Sequence, residues 1–244
     1  MIFLEQRGTM DSPIQRAGEY EVKGDYHKNI DKNWRYYPVY HYKMKYIDSF
    51  LSGIPKTAKI LDMGCGEGHL VEKYRKSGYD IIGLDLNYSS DSVKKGDIRH
   101  TPFETDEFDV ILCLDVLEHL NFSDQDLALK EIHRILNKEG IALLALPNLA
   151  HFISRVSFLF SGNLIRTSSI DRHPGDRPIQ EFITLIKKNN FIINKRVGIF
   201  PTFVVSSVLT WYFPHRVIWL HGIINTLFAY PGWCFLNLIH CKKI

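Results

Sequence analysis

The ten residues from Lys59 to Gly68, reading KILDMGCGEG, constrain this chain more than any other stretch. Ile60 and Leu61 read as the end of a short buried strand, set between Pro55 and a cluster of glycines. Gly64, Gly66 and Gly68 alternate, so the backbone can turn tightly and approach a ligand without interference from Cβ atoms. The residues from His69 to Lys76 then read as a helix, with Leu70, Val71 and Tyr74 as its apolar positions. A strand, a glycine turn and a helix N-terminus in succession form a cradle for a nucleotide.

The spacing narrows the ligand. Hydride-transfer folds use Gly-x-Gly-x-x-Gly to hold a pyrophosphate. Here the glycines follow Gly-x-Gly-x-Gly, and Asp62 precedes the first of them. An acid at that point suits a cationic ligand better than a diphosphate, which disfavours a nicotinamide dehydrogenase. Asp62-x-Gly64-x-Gly66-x-Gly68 resembles the first motif of the class I methyltransferases that depend on S-adenosylmethionine (SAM), whose sulfonium and ammonium are both positive.

The following segments extend the resemblance in order. The apolar run from Tyr79 to Leu84 ends in Asp85, about 20 residues past the turn, where nucleotide-binding folds place the acid that grips ribose hydroxyls. Gly96-Asp97-Ile98 resembles the third motif, in which the acid accepts from the adenine amino group and the apolar neighbour covers the ring. The run from Phe108 to Cys113 reads as a fourth strand, and the segment from Asp115 to Leu120 resembles the Asp-x-Leu-Glu-His segment of one large subgroup. A fifth strand is predicted from Gly140 to Leu146, ending at Pro147-Asn148. The resemblance implies a SAM site made of Asp62, Gly64, Gly66, Gly68, Asp85, Leu86, Asp97, Ile98 and Leu114.

The predicted fold class is therefore α/β: a Rossmann-like, mostly parallel seven-strand-type sheet with helices on both faces. Three parts are expected. Residues 1–50 form an N-terminal arm and cap helix, residues 51–198 the SAM-binding core, and residues 199–244 a hydrophobic helical appendage. The stretch from Val39 to Leu51 has helical spacing, and the tyrosines around it either shape an acceptor pocket or pack the helix onto the sheet. The residues from Asp124 to Asn137 read as an amphipathic helix with Gly140 just past its end. Pro147-Asn148, His151 and Arg155 resemble a Pro-Asn-x-x-His-x-x-x-Arg pattern near the MetW-like group. There the helix before the sixth strand usually ends in glycine; this chain has Asn190, which tolerates the left-handed geometry.

The tail departs from that family. Between Val197 and Ile239 the only charged residue is Arg216, and Trp211, Trp219 and Trp233 lie there with several phenylalanines. Two helix-length pieces are separated by Pro214 and cut by Pro231-Gly232; the second carries a stripe of His221, Gly222, Asn225 and Thr226. Apolar faces, aromatic belt residues and basic flanks suit a segment lying at a bilayer interface. A buried extension or a dimer interface is the first alternative; a full span is the last, since Val217 to Ile239 is long enough but is weakened by Pro231-Gly232 and the polar stripe. The oligomeric state is left open.

The net charge of +3, with no long basic run, gives no argument for nucleic acid. Cys65, Cys113, Cys234 and Cys241 show neither disulfide nor metal spacing and read as buried fillers in a reducing compartment. Glu5, Arg7 and Asp11 interrupt any apolar core of a signal peptide. A cytoplasmic catalytic domain is expected, with peripheral membrane contact through residues 199–244.

Methyl transfer to a hydroxyl needs alignment and a base whose pKa lies near the operating pH, which favours histidine. His119 stands first as the catalytic candidate and His151 second, with His173 a loop-organising residue. A packing role is the alternative for each. Some ubiquinone-type O-methyltransferases bind a divalent ion through a Glu-His pair, but this chain has Asp115 where they carry glutamate, so no metal is assigned. Arg155, Arg172 and Arg177 are candidate anion holders or solvated residues. The resulting expectation is a SAM-dependent methyltransferase acting on a small-molecule, glycan, quinone-like or lipid-linked acceptor. A non-catalytic SAM-binding subunit working through a partner enzyme is the second reading.

Overall fold

The computed structural model describes residues 30–166 and 168–243, so most of the expected N-terminal arm lies outside the described residues. Helix α1 (Tyr37–Ser52) precedes strand β1 (Ile60–Met63), helix α2 (His69–Lys76) and strands β2 (Ile81–Asp85), β3 (Val93–Lys95) and β4 (Phe108–Leu114). A short 3-10 turn (Leu117–His119) then leads to helix α3 (Phe122–Ile135) and strand β5 (Leu136–Pro147). Helices α4 (Phe152–Ser161) and α5 (Ile179–Lys188), strand β6 (Phe191–Pro201), helices α6 (Val204–Tyr212) and α7 (Ile218–Phe228), and strand β7 (Cys234–Lys243) complete the elements among the described residues.

The seven strands form one sheet in the order β3-β2-β1-β4-β5-β7-β6. All neighbours are parallel except β7, which runs antiparallel to β5 on one side and β6 on the other. The pleat sends alternate residues to two cores. Ala142, Leu144 and Leu146 of β5 join Leu129 and Ile132 of α3 and Phe182 of α5. Leu143 and Ala145 join Val39, Ile47 and Leu51 of α1 and Val71 of α2. The predicted α/β architecture, with helices on both faces, is what the chain adopts.

Several boundaries differ from expectation for local reasons. Helix α3 starts earlier than predicted because Asn121 caps it, its side chain accepting from the Asp124 amide at 2.9 Å. Such a cap contributes about 1 kcal/mol. The same helix stops at Ile135 and β5 begins at once, so Gly140 is a strand residue and not a helix cap. Asn190 adopts the left-handed backbone expected of it, with φ 60°.

The expected division at residue 198 falls inside β6, and the end of the supposed appendage is β7, an inner strand of the sheet. The physical reason is the pattern itself. Cys234, Leu236, Leu238, Ile239 and Cys241 are all buried, and a strand enclosed on both faces shows no polar alternation to separate it from an apolar tail. The tyrosines around α1 resolve toward packing: Tyr36 stacks on Phe235, Tyr46 bonds His240 at 2.7 Å, and Tyr42 donates to the Ile218 carbonyl at 2.9 Å.

Candidate functional site

The glycine turn leaves β1 at the carboxyl edge of the sheet, where open α/β folds place their ligands. Gly64 and Gly68 have φ of +78° and +73°. A Cβ on Gly64 would sit 2.5 Å from Val116, and one on Gly68 2.6 Å from Val93, so the turn can be this close only without side chains. Asp85 ends β2 and closes the turn: one carboxylate oxygen accepts from the Gly66 amide and the other from the Asn87 amide, both at 2.9 Å. This bonding fixes the carboxylate at the rim of the turn.

Asp62 is buried beneath the turn, and burial pushes its carboxyl up to about 7; Lys43 acts in the opposite direction and Asp85 adds to the rise. Lys43, on α1, had no signal in the sequence motifs. It forms an ion pair with Asp115, the residue that follows β4 in a left-handed conformation with φ 56°. Burial alone would lower the lysine's pKa, but Asp115 outweighs it and the ammonium stays charged. The other Asp115 oxygen is buried without a hydrogen-bond partner. Three acids and one ammonium therefore meet at the tips of β1, β2 and β4. The donor set fits a cationic ligand with vicinal hydroxyls: buried Asp62 and partly buried Asp115 for the charge, and a fixed carboxylate for the hydroxyls.

Asp97 follows β3 but is engaged by its neighbour. Arg99 reaches its two oxygens with Nε at 2.9 and 3.0 Å and Nη2 at 2.5 Å, and donates through Nη1 to Asp124 on α3 at 2.9 Å. The guanidinium holds the Asp97 carboxyl below its ordinary value. Ile98 beside it is buried, while Leu86 is exposed and Leu114 is partly buried against the α1 side of the sheet.

His119 is exposed on the turn after β4. Its Nδ1 lies 3.1 Å from the Arg172 carbonyl oxygen, which makes Nδ1 the donor and Nε2 the basic nitrogen. The ring packs edge-to-face on His173, centroids 4.6 Å apart, and His173 lies 3.5 Å from Asp176. Beside it Glu118 is buried, and burial together with Asp115 pushes its carboxyl well above the usual range.

His151, the second candidate, is placed differently, inside the packing between α4 and the end of β6. It is buried, bonds Thr202 at 2.8 Å, packs on Phe235, and burial lowers its pKa to about 4. A base so far below neutrality gives little catalysis at physiological pH. The surrounding motif acts as a joint between β5 and β7. Asn148 donates to the carbonyls of Gly232 and Cys234 and accepts from the amides of Ala150 and Ile179, so all its capacity is used. Arg155 donates to the Ala150 and Gly232 carbonyls, and Arg177 lies over the Phe122 ring. Among the described residues no three His, Cys, Asp or Glu side chains cluster as a metal site would require.

Comparison with known proteins agrees with this geometry. A methyltransferase-domain family model matches residues 34–191, more than half of the chain. The chain is 28% identical over 158 residues to the ubiquinone biosynthesis O-methyltransferase of Pelagibacter ubique (strain HTCC1062), a match covering 59% of this chain and 65% of that protein. The chain thus spans less than two thirds of that relative's length. Among solved structures, the PH0226 protein of Pyrococcus horikoshii OT3 superposes with TM-score 0.57 at 14% identity, covering 84% of this chain and 91% of that one. An S-adenosylmethionine-dependent methyltransferase from Mesorhizobium loti gives 0.53 at 13% identity, covering 86% and 98%. With the strand order, the glycine turn and the acids at its rim all in place, the chain belongs to the methyltransferase-domain family and has the class I, Rossmann-like fold.

Proposed function

We propose that the protein is a SAM-dependent methyltransferase that delivers the methyl group to an oxygen of a small, glycan, quinone-like or lipid-linked acceptor. The observation that carries this reading is the meeting of buried Asp62, fixed Asp85 and half-satisfied Asp115 around a turn that only glycine can form.

Asp85 would hold the ribose hydroxyls, and Ile98 would cover the adenine. Asp62 and Asp115 would attract the positive end of the donor. Lys43 is the ammonium that neutralises Asp115 in the free protein, so a donor bringing its own ammonium and a carboxylate permits an exchange of partners. The acids take the incoming ammonium, and Lys43 takes the carboxylate.

Bound SAM supplies a methyl group already activated as a sulfonium and a leaving group that departs neutral, so no oxyanion hole is required. The remaining work is alignment, which can supply roughly 7–11 kcal/mol, and removal of the acceptor hydroxyl proton. His119 Nε2 is the group assigned to take that proton as the new carbon–oxygen bond forms. The 28% identity to an O-methyltransferase supports oxygen as the acceptor atom.

Two measurements test the reading. The folded protein should show a raised melting temperature with SAM and with its demethylated product, and labelled methyl groups should appear on an acceptor in cell extract. A melting shift without labelled product would favour the non-catalytic subunit instead. No shift with either nucleoside at millimolar concentration would end both.

A further inference from the structure

We propose that α4, α6 and α7 form a face that seats the protein on an anionic lipid bilayer, with the carboxyl edge of the sheet turned toward an acceptor held in that bilayer. The acceptor half of this inference rests on the methyl-transfer reading; the docking half does not.

The three helices are built inside out. Their buried residues are Ser154 on α4, Ser206 and Thr210 on α6, and His221 on α7. Their large apolar residues face outward: Phe160 is 83% exposed, Val205 72%, Trp219 66% and Trp211 62%. A helix on a water-facing domain has the opposite pattern, as α5 does with Ile179, Phe182 and Ile186 turned inward. The outward face is held in place by the polar one. Thr210 Oγ1 and His221 Nε2 bond at 2.7 Å between α6 and α7, and Asn225 accepts from the Phe200 amide at 2.8 Å.

The helices also form one continuous patch. Phe152 of α4 packs edge-to-face on Phe203, just before α6, and Phe203 packs on Phe228 of α7. Topology sets all three at the same edge as the candidate site. Helix α4 follows the carboxyl end of β5, and α6 and α7 follow that of β6, which runs in the same direction. Exposed apolar surface of this extent marks an interaction site.

Charge decides the occupant. Neither residues 140–170 nor residues 182–244 contain an aspartate or glutamate, although the whole chain has 27 acids against 30 lysines and arginines. Arg155 stands on α4 and Arg216 between α6 and α7, and the Arg35 guanidinium lies 4.7 Å from the Trp211 ring of α6. A second copy of this chain packed face to face would oppose these cations with no carboxylate from α4, α6 or α7 to answer them. An anionic lipid surface answers them and takes tryptophan and tyrosine at its headgroup level. No described helix is long and apolar enough to cross a membrane, so the geometry is that of a helix group lying in the interface.

The test is co-sedimentation of the full chain with vesicles of phosphatidylcholine containing phosphatidylglycerol, against phosphatidylcholine alone. Binding should require the anionic lipid and weaken with salt. It should fall about fivefold in Arg216→Ala, the effect of one basic side chain at such a surface. Val205→Asp and the pair Trp211→Ser with Trp219→Ser should abolish it while the melting shift with SAM is retained, which shows that the core is folded. With the wild-type chain, labelled product should extract with the lipids. Failure of the wild-type chain to sediment with anionic vesicles overturns the docking proposal. So does a dimer in solution that these same variants split without any lipid binding. Vesicle binding with no SAM-induced melting shift would leave docking standing and remove the methyl-transfer reading.

Discussion

Lys43 of α1 and Asp115 at the end of β4, seventy-two residues apart, form an ion pair directly beside the buried carboxyl of Asp62. The cap helix is thereby tied to the site by charge, and the site's own acids hold a cation before any donor arrives. An incoming cationic ligand must displace that ammonium or give it a new anion.

Lys43→Met should weaken SAM binding by about 10–100-fold in Kd. This corresponds to about 1.5–3 kcal/mol for one charge-assisted hydrogen bond. Calorimetric titration checks it; an unchanged Kd would show that Lys43 does not reach the donor's carboxylate.

SAM affinity should rise with pH between 6 and 8. The Asp62 carboxyl titrates at about 7 in the free protein, raised by burial, so the carboxylate that prefers a cationic donor becomes the major form as pH passes 7. The expected gain is about tenfold across those two units. The linked stability effect has the opposite sign. Because the folded pKa lies above the ordinary aspartate value of 3.8, the folded chain holds a proton that the unfolded chain has lost, and stability declines as pH rises from about 4 to 7. Asp62→Asn should therefore melt higher than the wild type at pH 8 and bind SAM more weakly, with no dependence on pH from this group.

His119→Ala should lower kcat about 10²–10⁴-fold, the range for a positioned general base, and leave the SAM-induced melting shift intact. His151→Gln should instead lower the melting temperature, because the bond to Thr202 joins α4 to the entry of α6. If the two phenotypes are reversed in a methyl-transfer assay and a thermal melt, the assignment of the histidines is wrong.

Phe200 has φ 65°, a left-handed conformation costing an aromatic residue about 1–2 kcal/mol, and its amide donates to Asn225 of α7. Asn225→Ala orphans that amide and should destabilise the fold by about 1–3 kcal/mol, read from denaturant unfolding.

Deletion of residues 234–244 should abolish cooperative unfolding, because it removes the strand between β5 and β6. A soluble, SAM-binding truncated chain would contradict the sheet order.

What the sequence determined by itself was local. Three alternating glycines after Asp62 dictate the turn, because only residues without Cβ fit beneath Val116 and Val93. The acids Asp85 and Asp97 fall where the strand-like runs before them end, and the His69–Lys76 helix follows from its apolar spacing. The tertiary structure decided whatever depends on long-range contact. Lys43 reaches the site only because α1 folds back across it. His119 and His151 look alike as residues that follow strands, and only their surroundings leave one exposed with Nδ1 turned to a carbonyl and bury the other against Thr202 and Phe235. The apolar tail shows the same limit most clearly. Hydrophobicity alone does not distinguish a strand enclosed within a sheet from a helix facing outward, because burial is a property of the neighbours a residue meets. In this chain those neighbours make Cys234–Lys243 a core strand and leave α6 and α7 with their apolar sides uncovered.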